Sequence, residues 1–177
     1  MTDPRILIAC VGNIFLGDDG FGVEVARRLL DRQLPSEVLV KDFGIRGLDL
    51  TYALLNPYEV VILVDACPRG GTPGTVYLVE PDLLELNALN SAPASLEAHS
   101  MNPMSVLRVV KSMGGALGRV LIVGCEPAEF GSDSDEGGKL GLSDSVESAV
   151  EEAVAMVERL TSNILAGLST EQVLQLQ

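Results

Sequence analysis

The chain of 177 residues contains 47% hydrophobic and 21% charged residues, which indicates one soluble globular domain with a full core. A formal net charge of −13 disfavours nucleic acid and anionic membranes as partners, because both require a basic surface. No apolar run approaches the roughly 20 residues of a transmembrane helix, and the first residues lack the basic region of a signal peptide. We therefore expect a cytoplasmic, monomeric protein with a single domain at 1–165 and a tail at 166–177.

In chain order, strand and helix patterns alternate. A buried aliphatic strand at 5–11 is followed by helical spacing over 23–30, a strand at 37–44 and a helix at 47–56 that Pro57 ends. The next strands are predicted at 60–66 and 75–79, the second with the alternation of an edge strand that could be antiparallel.

The second half of the chain continues this alternation. The segment 82–100 is ambiguous and is predicted as a loop with a helical turn. Asn102 and Pro103 predict a helix start, and this helix runs to about Met113. A buried strand at 119–127 follows, and then an acidic, glycine-rich segment at 128–141 that is predicted to be a mobile surface loop. Ser143 is then predicted to cap the last helix, which carries an apolar stripe as far as Leu160. The pattern predicts an α/β fold, a three-layer sandwich in which a mostly parallel twisted sheet of about five strands has helices on both faces.

The segment GNIFLGDDGFG, at 12–22, places two adjacent acids in the first turn after a buried strand. It matches neither the P-loop nor the GxGxxG pattern, and its negative charge opposes phosphate binding. The glycines suit positive φ angles and close approach of the backbone to a bulky group. Asp18 and Asp19 have two interpretations: a helix cap with a favourable dipole interaction, or ligands in a cleft.

Three polar positions are expected at the carboxyl edge of the sheet, where such folds bind ligands. They are the pair Asp18 and Asp19, Asp65 after the third strand, and His99, the single histidine. Two carboxylates and one imidazole suit nickel or zinc and leave coordination positions open. Each residue could instead be structural. Cys67, two residues after Asp65, leaves a cysteine–histidine hydrolase conceivable.

Four segments together resemble the hydrogenase maturation proteases: VGNIFLGDDGFGVEVARRL, VVILVDACPRGGTPGTVYLVEP, HSMNPMSVLRVV and VGCEPAEF followed by GLSDSVESAVEEAV. The resemblance covers residues 6–160 in order. It implies an α/β sandwich that removes a C-terminal extension from the [NiFe] hydrogenase large-subunit precursor after nickel insertion. It also implies that nickel, presented by the precursor and replaceable by other divalent metals, is held by Asp19, Asp65 and His99.

The same resemblance assigns catalysis to Asp19, Asp65 and His99, and substrate contact to the loop DFGIRG, through Asp42, Gly44 and Gly47. Two positions depart from the family pattern: Cys10 replaces a glycine and Ile45 replaces a threonine. Asp18 is then predicted to start the helix while Asp19 enters the cleft, and Asp19 or Asp42 could act as the base. Two alternatives remain open: a non-catalytic nickel-dependent checkpoint or chaperone, and a small-molecule metallohydrolase.

Overall fold

The computed structural model describes residues 4–83, 102–131 and 138–168. Within these ranges the chain forms five strands, four α-helices and one short 3-10 helix at Asp18–Gly20. The strands are β1 (Ile6–Val11), β2 (Val38–Gly44), β3 (Val60–Ala66), β4 (Val76–Val79) and β5 (Arg119–Cys125). The helices are α1 (Phe21–Leu30), α2 (Gly47–Leu54), α3 (Pro103–Ser112) and α4 (Asp144–Leu165).

The strands form one sheet in the order β2-β1-β3-β5-β4. All neighbouring pairs are parallel except β4 with β5, so the predicted antiparallel edge strand is confirmed. β1 and β3 are buried along their whole length because they lie inside the sheet with helices on both faces. The predicted α/β sandwich is therefore confirmed.

Two apolar cores lie on opposite faces of the sheet. Alternate residues of the central strands, such as Ile8 and Ile62, pack against α1 and α4. Their neighbours, such as Leu7 and Leu63, pack against α2 and α3. This arrangement leaves the carboxyl ends of the parallel strands at one edge, where the loops after β1, β2, β3 and β5 meet.

Two glycines allow the segment after β1 to pack directly on this edge. A Cβ atom on Gly22 would lie 2.2 Å from the Val11 carbonyl oxygen and 2.4 Å from that of Val64. A Cβ atom on Gly12, whose φ is +146°, would lie 2.0 Å from the Asp19 carbonyl oxygen. The predicted close approach is therefore made by the protein's own backbone, and it places Asp19 over the ends of the strands.

Replacing Gly22 with alanine is expected to lower the free energy of unfolding by about 2–3 kcal/mol, because the methyl group overlaps two backbone carbonyls that cannot move independently. Gly20→Ala is the matched control, since its nearest contact would be 3.3 Å, to the Ile14 Cα atom. Urea denaturation measures both variants. An equal, small loss for the two would contradict the packing described for α1.

The start of α3 forms as predicted. Asn102 accepts a hydrogen bond from the Met104 N–H at 2.9 Å, and Pro103 occupies the first helical position. The predicted loop at 82–100 lies outside the described residues except at its first two positions. Among the residues that are described, no helix is both long and apolar enough to cross a membrane.

Candidate active site

Asp19 and Asp65 lie at the carboxyl edge of the sheet. Asp19 is half-buried, and its Oδ2 accepts a hydrogen bond from the Asn13 N–H at 2.9 Å. Burial raises the pKa of Asp19, and the Asn13 hydrogen bond only partly opposes this. The segment 12–22, which we call the glycine loop, therefore orients this carboxylate with one backbone donor.

Asp65 is the penultimate residue of β3 and is only 9% exposed. Its Oδ1 accepts a hydrogen bond from the Ala66 N–H at 2.8 Å. Burial raises the pKa of Asp65 well above its usual value, and the negative charge of Asp19 raises it further. The two carboxylates thus lie near enough to repel each other. A cation bound between them would remove this repulsion.

Asp18 is the first residue of the 3-10 helix, as predicted, but its side chain does not cap that helix. The cap position is Gly17, which has no side chain to donate or accept, and the buried Asp18 carboxylate binds other segments of the chain. Its Oδ2 accepts from the N–H groups of Ala128 at 2.8 Å and Glu129 at 3.1 Å. Ser143 contributes both its N–H, at 2.7 Å to Oδ1, and its hydroxyl, at 2.9 Å to Oδ2. Asp18 therefore connects the glycine loop to the start of α4.

This connection also fixes the pKa of Asp18. Burial favours the neutral carboxyl, but the backbone and hydroxyl donors together outweigh it and lower the pKa. Ser143 occupies the N-cap position of α4, but the predicted side-chain cap does not form, because its hydroxyl donates to Asp18 instead. Adjacent aspartates consequently have pKa shifts of opposite sign.

The described ends of the acidic loop 128–141 are hydrogen-bonded to the glycine loop. The N–H of Gly131 donates to the Leu16 carbonyl, and the N–H of Lys139 donates to the Phe15 carbonyl. The N–H of Gly17 donates to the Lys139 carbonyl at 2.7 Å. These ends therefore form part of the rim of the site.

The loop after β2 borders the same edge. Asp42 Oδ1 accepts a hydrogen bond from the Gly44 N–H at 2.8 Å, which closes a turn in which Gly44 has φ +53°. The Gly44 carbonyl accepts from the Gly12 N–H at 3.0 Å, and Gly47 begins α2. Asp42 and Gly44 thus lie beside the glycine loop, and the Asp42 carboxylate stabilises the turn that contains both residues.

His99 lies outside the described residues, so the structure places only two of the three predicted ligands. Within 4–83, 102–131 and 138–168, no group of three or more acidic, cysteine or histidine side chains could hold a metal ion. The chemistry of the two carboxylates fits a divalent cation with open positions, which an imidazole or a partner's groups would fill.

A family model described as hydrogenase maturation protease matches residues 23–160. The chain belongs to the hydrogenase maturation protease family. It is 31% identical over 153 residues to the hydrogenase expression/formation protein HupD of Rhodobacter capsulatus, covering 85% of this chain and 70% of that protein.

Two solved structures share the fold of this maturation protease. The hydrogenase maturating endopeptidase HybD from E. coli superposes with a TM-score of 0.68 at 27% identity, over 92% of this chain and 94% of that one. A hydrogenase 2 maturation peptidase from a Thaumarchaeota archaeon gives a TM-score of 0.64 at 32% identity, over 93% and 99%. The chain is accordingly a peptide-bond hydrolase, which disfavours the checkpoint and small-molecule alternatives.

The cysteine nucleophile considered above is disfavoured in this protease. Burial raises the pKa of Cys67 to about 12, and the neighbouring Asp65 contributes to the increase. The reactive form of a cysteine is the thiolate, and this thiol remains protonated at neutral pH. Cys10 and Cys125 are buried, and none of the three cysteines forms a disulfide in the described part of the chain.

Glu126 is a buried acid that the sequence analysis missed. Its carboxylate accepts from the Arg69 N–H at 2.9 Å, the Gly70 N–H at 3.0 Å and the Tyr77 hydroxyl at 3.0 Å. It therefore holds the loop after β3, close to Asp65, and acts as a positioning residue. An acid directly after the buried run of β5 was the available signal, the same one that identified Asp65 after β3.

Proposed function

We propose that this maturation protease removes the C-terminal extension of the [NiFe] hydrogenase large-subunit precursor after nickel insertion. Recognition of the bound nickel is assigned to Asp19, Asp65 and His99. The proposal is supported by the juxtaposition of two carboxylates, the half-buried Asp19 and the buried Asp65, at the carboxyl edge of the sheet in a chain of this family. Nickel belongs to the substrate in this scheme, and other divalent metals can substitute for it.

Two carboxylates favour recognition of a metal that a partner presents. Without a cation, burial and mutual repulsion favour a protonated Asp65. An incoming nickel ion would replace that proton and bind both carboxylates. With so few protein ligands, free metal would be held weakly, whereas a metal already bound to the precursor would keep its other ligands. The protease would therefore bind the precursor tightly only when the precursor already holds its nickel.

The hydrolytic step would use a carboxylate of the same cleft. A base must lie within hydrogen-bonding reach of the attacking water, and the metal can polarise the scissile carbonyl or activate the water. Asp19 and Asp42 each accept one backbone N–H, from Asn13 and from Gly44. Asp19 is assigned the role of base because it lies close enough to Asp65 for its charge to act on that residue. The raised pKa of Asp19 also suits proton transfer. Asp42, Gly44 and Gly47 are assigned to substrate contact.

The decisive experiment incubates the purified protein with its cognate precursor, either nickel-loaded or nickel-free, and follows the mass of the precursor. We expect loss of a C-terminal peptide only from the nickel-loaded sample. Asp19→Asn and His99→Ala should each reduce the rate more than about 100-fold, beyond the effect of residues that only orient ligands.

An exposed acid far from the cleft, Asp31 at the end of α1, provides the control as Asp31→Asn. Equal rates with the nickel-free precursor would refute nickel recognition while leaving the protease intact. Absence of cleavage from both samples would refute the proposed function.

A further inference from the structure

Four large apolar side chains are exposed beside Asp19, and together we call them the apolar rim. Ile14 is 48% exposed, Phe15 56%, Phe130 45% and Leu140 70%. We propose that the apolar rim is the docking surface for the body of the large-subunit precursor and contributes to the choice of substrate. This inference rests on the proposed function, and it adds a contact that the metal ligands do not provide.

The apolar rim is held by backbone hydrogen bonds between segments distant in sequence. The Lys139 N–H donates to the Phe15 carbonyl at 2.8 Å, and the Gly131 N–H donates to the Leu16 carbonyl at 3.1 Å. Gly17 also pairs with Phe130 in an isolated bridge. Exposed apolar groups on a backbone fixed in this way lose little conformational entropy when a partner binds.

A groove gives the apolar rim a specific shape. Ile14 and Leu140 line it together with Val23 and Leu142, and its volume is about 210 Å³. In a well-studied case, a cavity of about 150 Å³ lined by aliphatic side chains binds benzene. The groove is therefore large enough to accept one aromatic or branched aliphatic side chain of the partner.

Charged side chains around the groove form ion pairs, although the whole chain has a formal net charge of −13. Glu24 and Glu147 line the groove, and Arg28 binds both, at 3.0 Å and 3.1 Å. Glu129, near Phe130, forms an ion pair with Lys139. The surface thus fits burial of an apolar patch on the partner better than attraction of a basic one.

The position of the apolar rim selects the occupant. Ile14 directly follows Asn13, whose N–H binds the Asp19 carboxylate at 2.9 Å. The apolar rim therefore begins one residue from the backbone group that binds Asp19, and a partner on the rim lies beside Asp19. In the proposed function the precursor brings its nickel to Asp19, so the precursor is the partner that must lie beside this surface.

The test measures kcat and KM for cleavage of the nickel-loaded precursor by Phe15→Ser/Leu140→Ser, and complex formation in the same mixtures by sedimentation velocity. KM should rise about tenfold or more, as when central contacts of an interface are truncated, with a smaller effect on kcat. Leu30→Ser is the matched control, because Leu30 is 62% exposed at the far end of α1.

Ile14→Ser/Phe130→Ser is measured in parallel, with thermal unfolding of both double variants, so that the result does not depend on one variant folding. Unchanged KM values in both folded variants would overturn the docking surface and leave the proposed function standing. Self-association of the wild type that the variants lose, without a change in KM, would assign the surface to a second copy and also overturn the inference. If the wild type binds the precursor, the rim variants bind it more weakly and none of the proteins cleaves it, the docking surface is supported and the proposed function is refuted.

Discussion

Asp65→Asn is expected to abolish processing of the precursor, by more than about 100-fold, while leaving the protein at least as stable as the wild type. The asparagine carbonyl can still accept the Ala66 N–H, and the amide carries no charge into a buried position. The loss of activity would therefore come from the loss of a charged ligand and not from misfolding. Mass analysis of the precursor and urea denaturation with a chelator present measure the two effects.

The stability difference should depend on pH in a defined direction. Because the pKa of Asp65 is raised in the folded state, its carboxyl destabilises the fold once the pH exceeds the ordinary aspartate pKa of about 3.9. This destabilisation grows until the raised pKa is passed. The advantage of Asp65→Asn should accordingly be largest at neutral pH and vanish in acid. A variant that is less stable than the wild type at pH 7 would contradict this account of Asp65.

Asp18→Asn is expected to lower the free energy of unfolding by about 2–4 kcal/mol, because buried hydrogen bonds to a charged acceptor are lost. Both carboxylate oxygens are in use: Oδ1 accepts the Ser143 N–H, and Oδ2 accepts the N–H groups of Ala128 and Glu129. An asparagine has one acceptor oxygen, so its amide group would face backbone N–H donors on one side. Urea denaturation at pH 7 measures the loss.

The adjacent Asp19→Asn provides a matched control, since within the described residues the Asp19 side chain accepts a single hydrogen bond, from the Asn13 N–H. Its stability should remain close to that of the wild type, while its activity falls. The pKa of Asp18 is lowered in the folded state, so its stabilisation is present above about pH 3.9 and is lost as the pH falls through the lowered pKa. Asp18→Asn and the wild type should therefore converge in acid; a constant difference would contradict an ionised Asp18.

The parts of the fold that could be predicted from the sequence are those with a local signal. β1 and β3 are continuous aliphatic runs and are buried throughout, and Asn102 with Pro103 starts α3 as the residue types require. Placement of Asp19 and Asp65 at one edge followed from the rule that ligands bind at the carboxyl ends of parallel strands.

The role of Asp18 could not be predicted in the same way. Its hydrogen-bond partners are 110, 111 and 125 residues away in the sequence, and adjacent acids look alike until those partners are known. The backbone pairing at both ends of the acidic loop was missed for the same reason, because polar, glycine-rich composition indicates a surface position and carries no information about a distant partner.

The long reach of the Asp18 contacts has a consequence for the order in which the molecule is assembled. During synthesis, β1, α1, β2 and β3 leave the ribosome before Ala128 and Ser143 exist, so the earlier part of the sheet can form while the Asp18 carboxylate lacks its donors. Contacts between residues so far apart also form late because closing long loops costs entropy. We therefore expect the Asp18 carboxylate to acquire its donors only after Ser143 has been synthesised, so that the glycine loop and the start of α4 become joined late in folding.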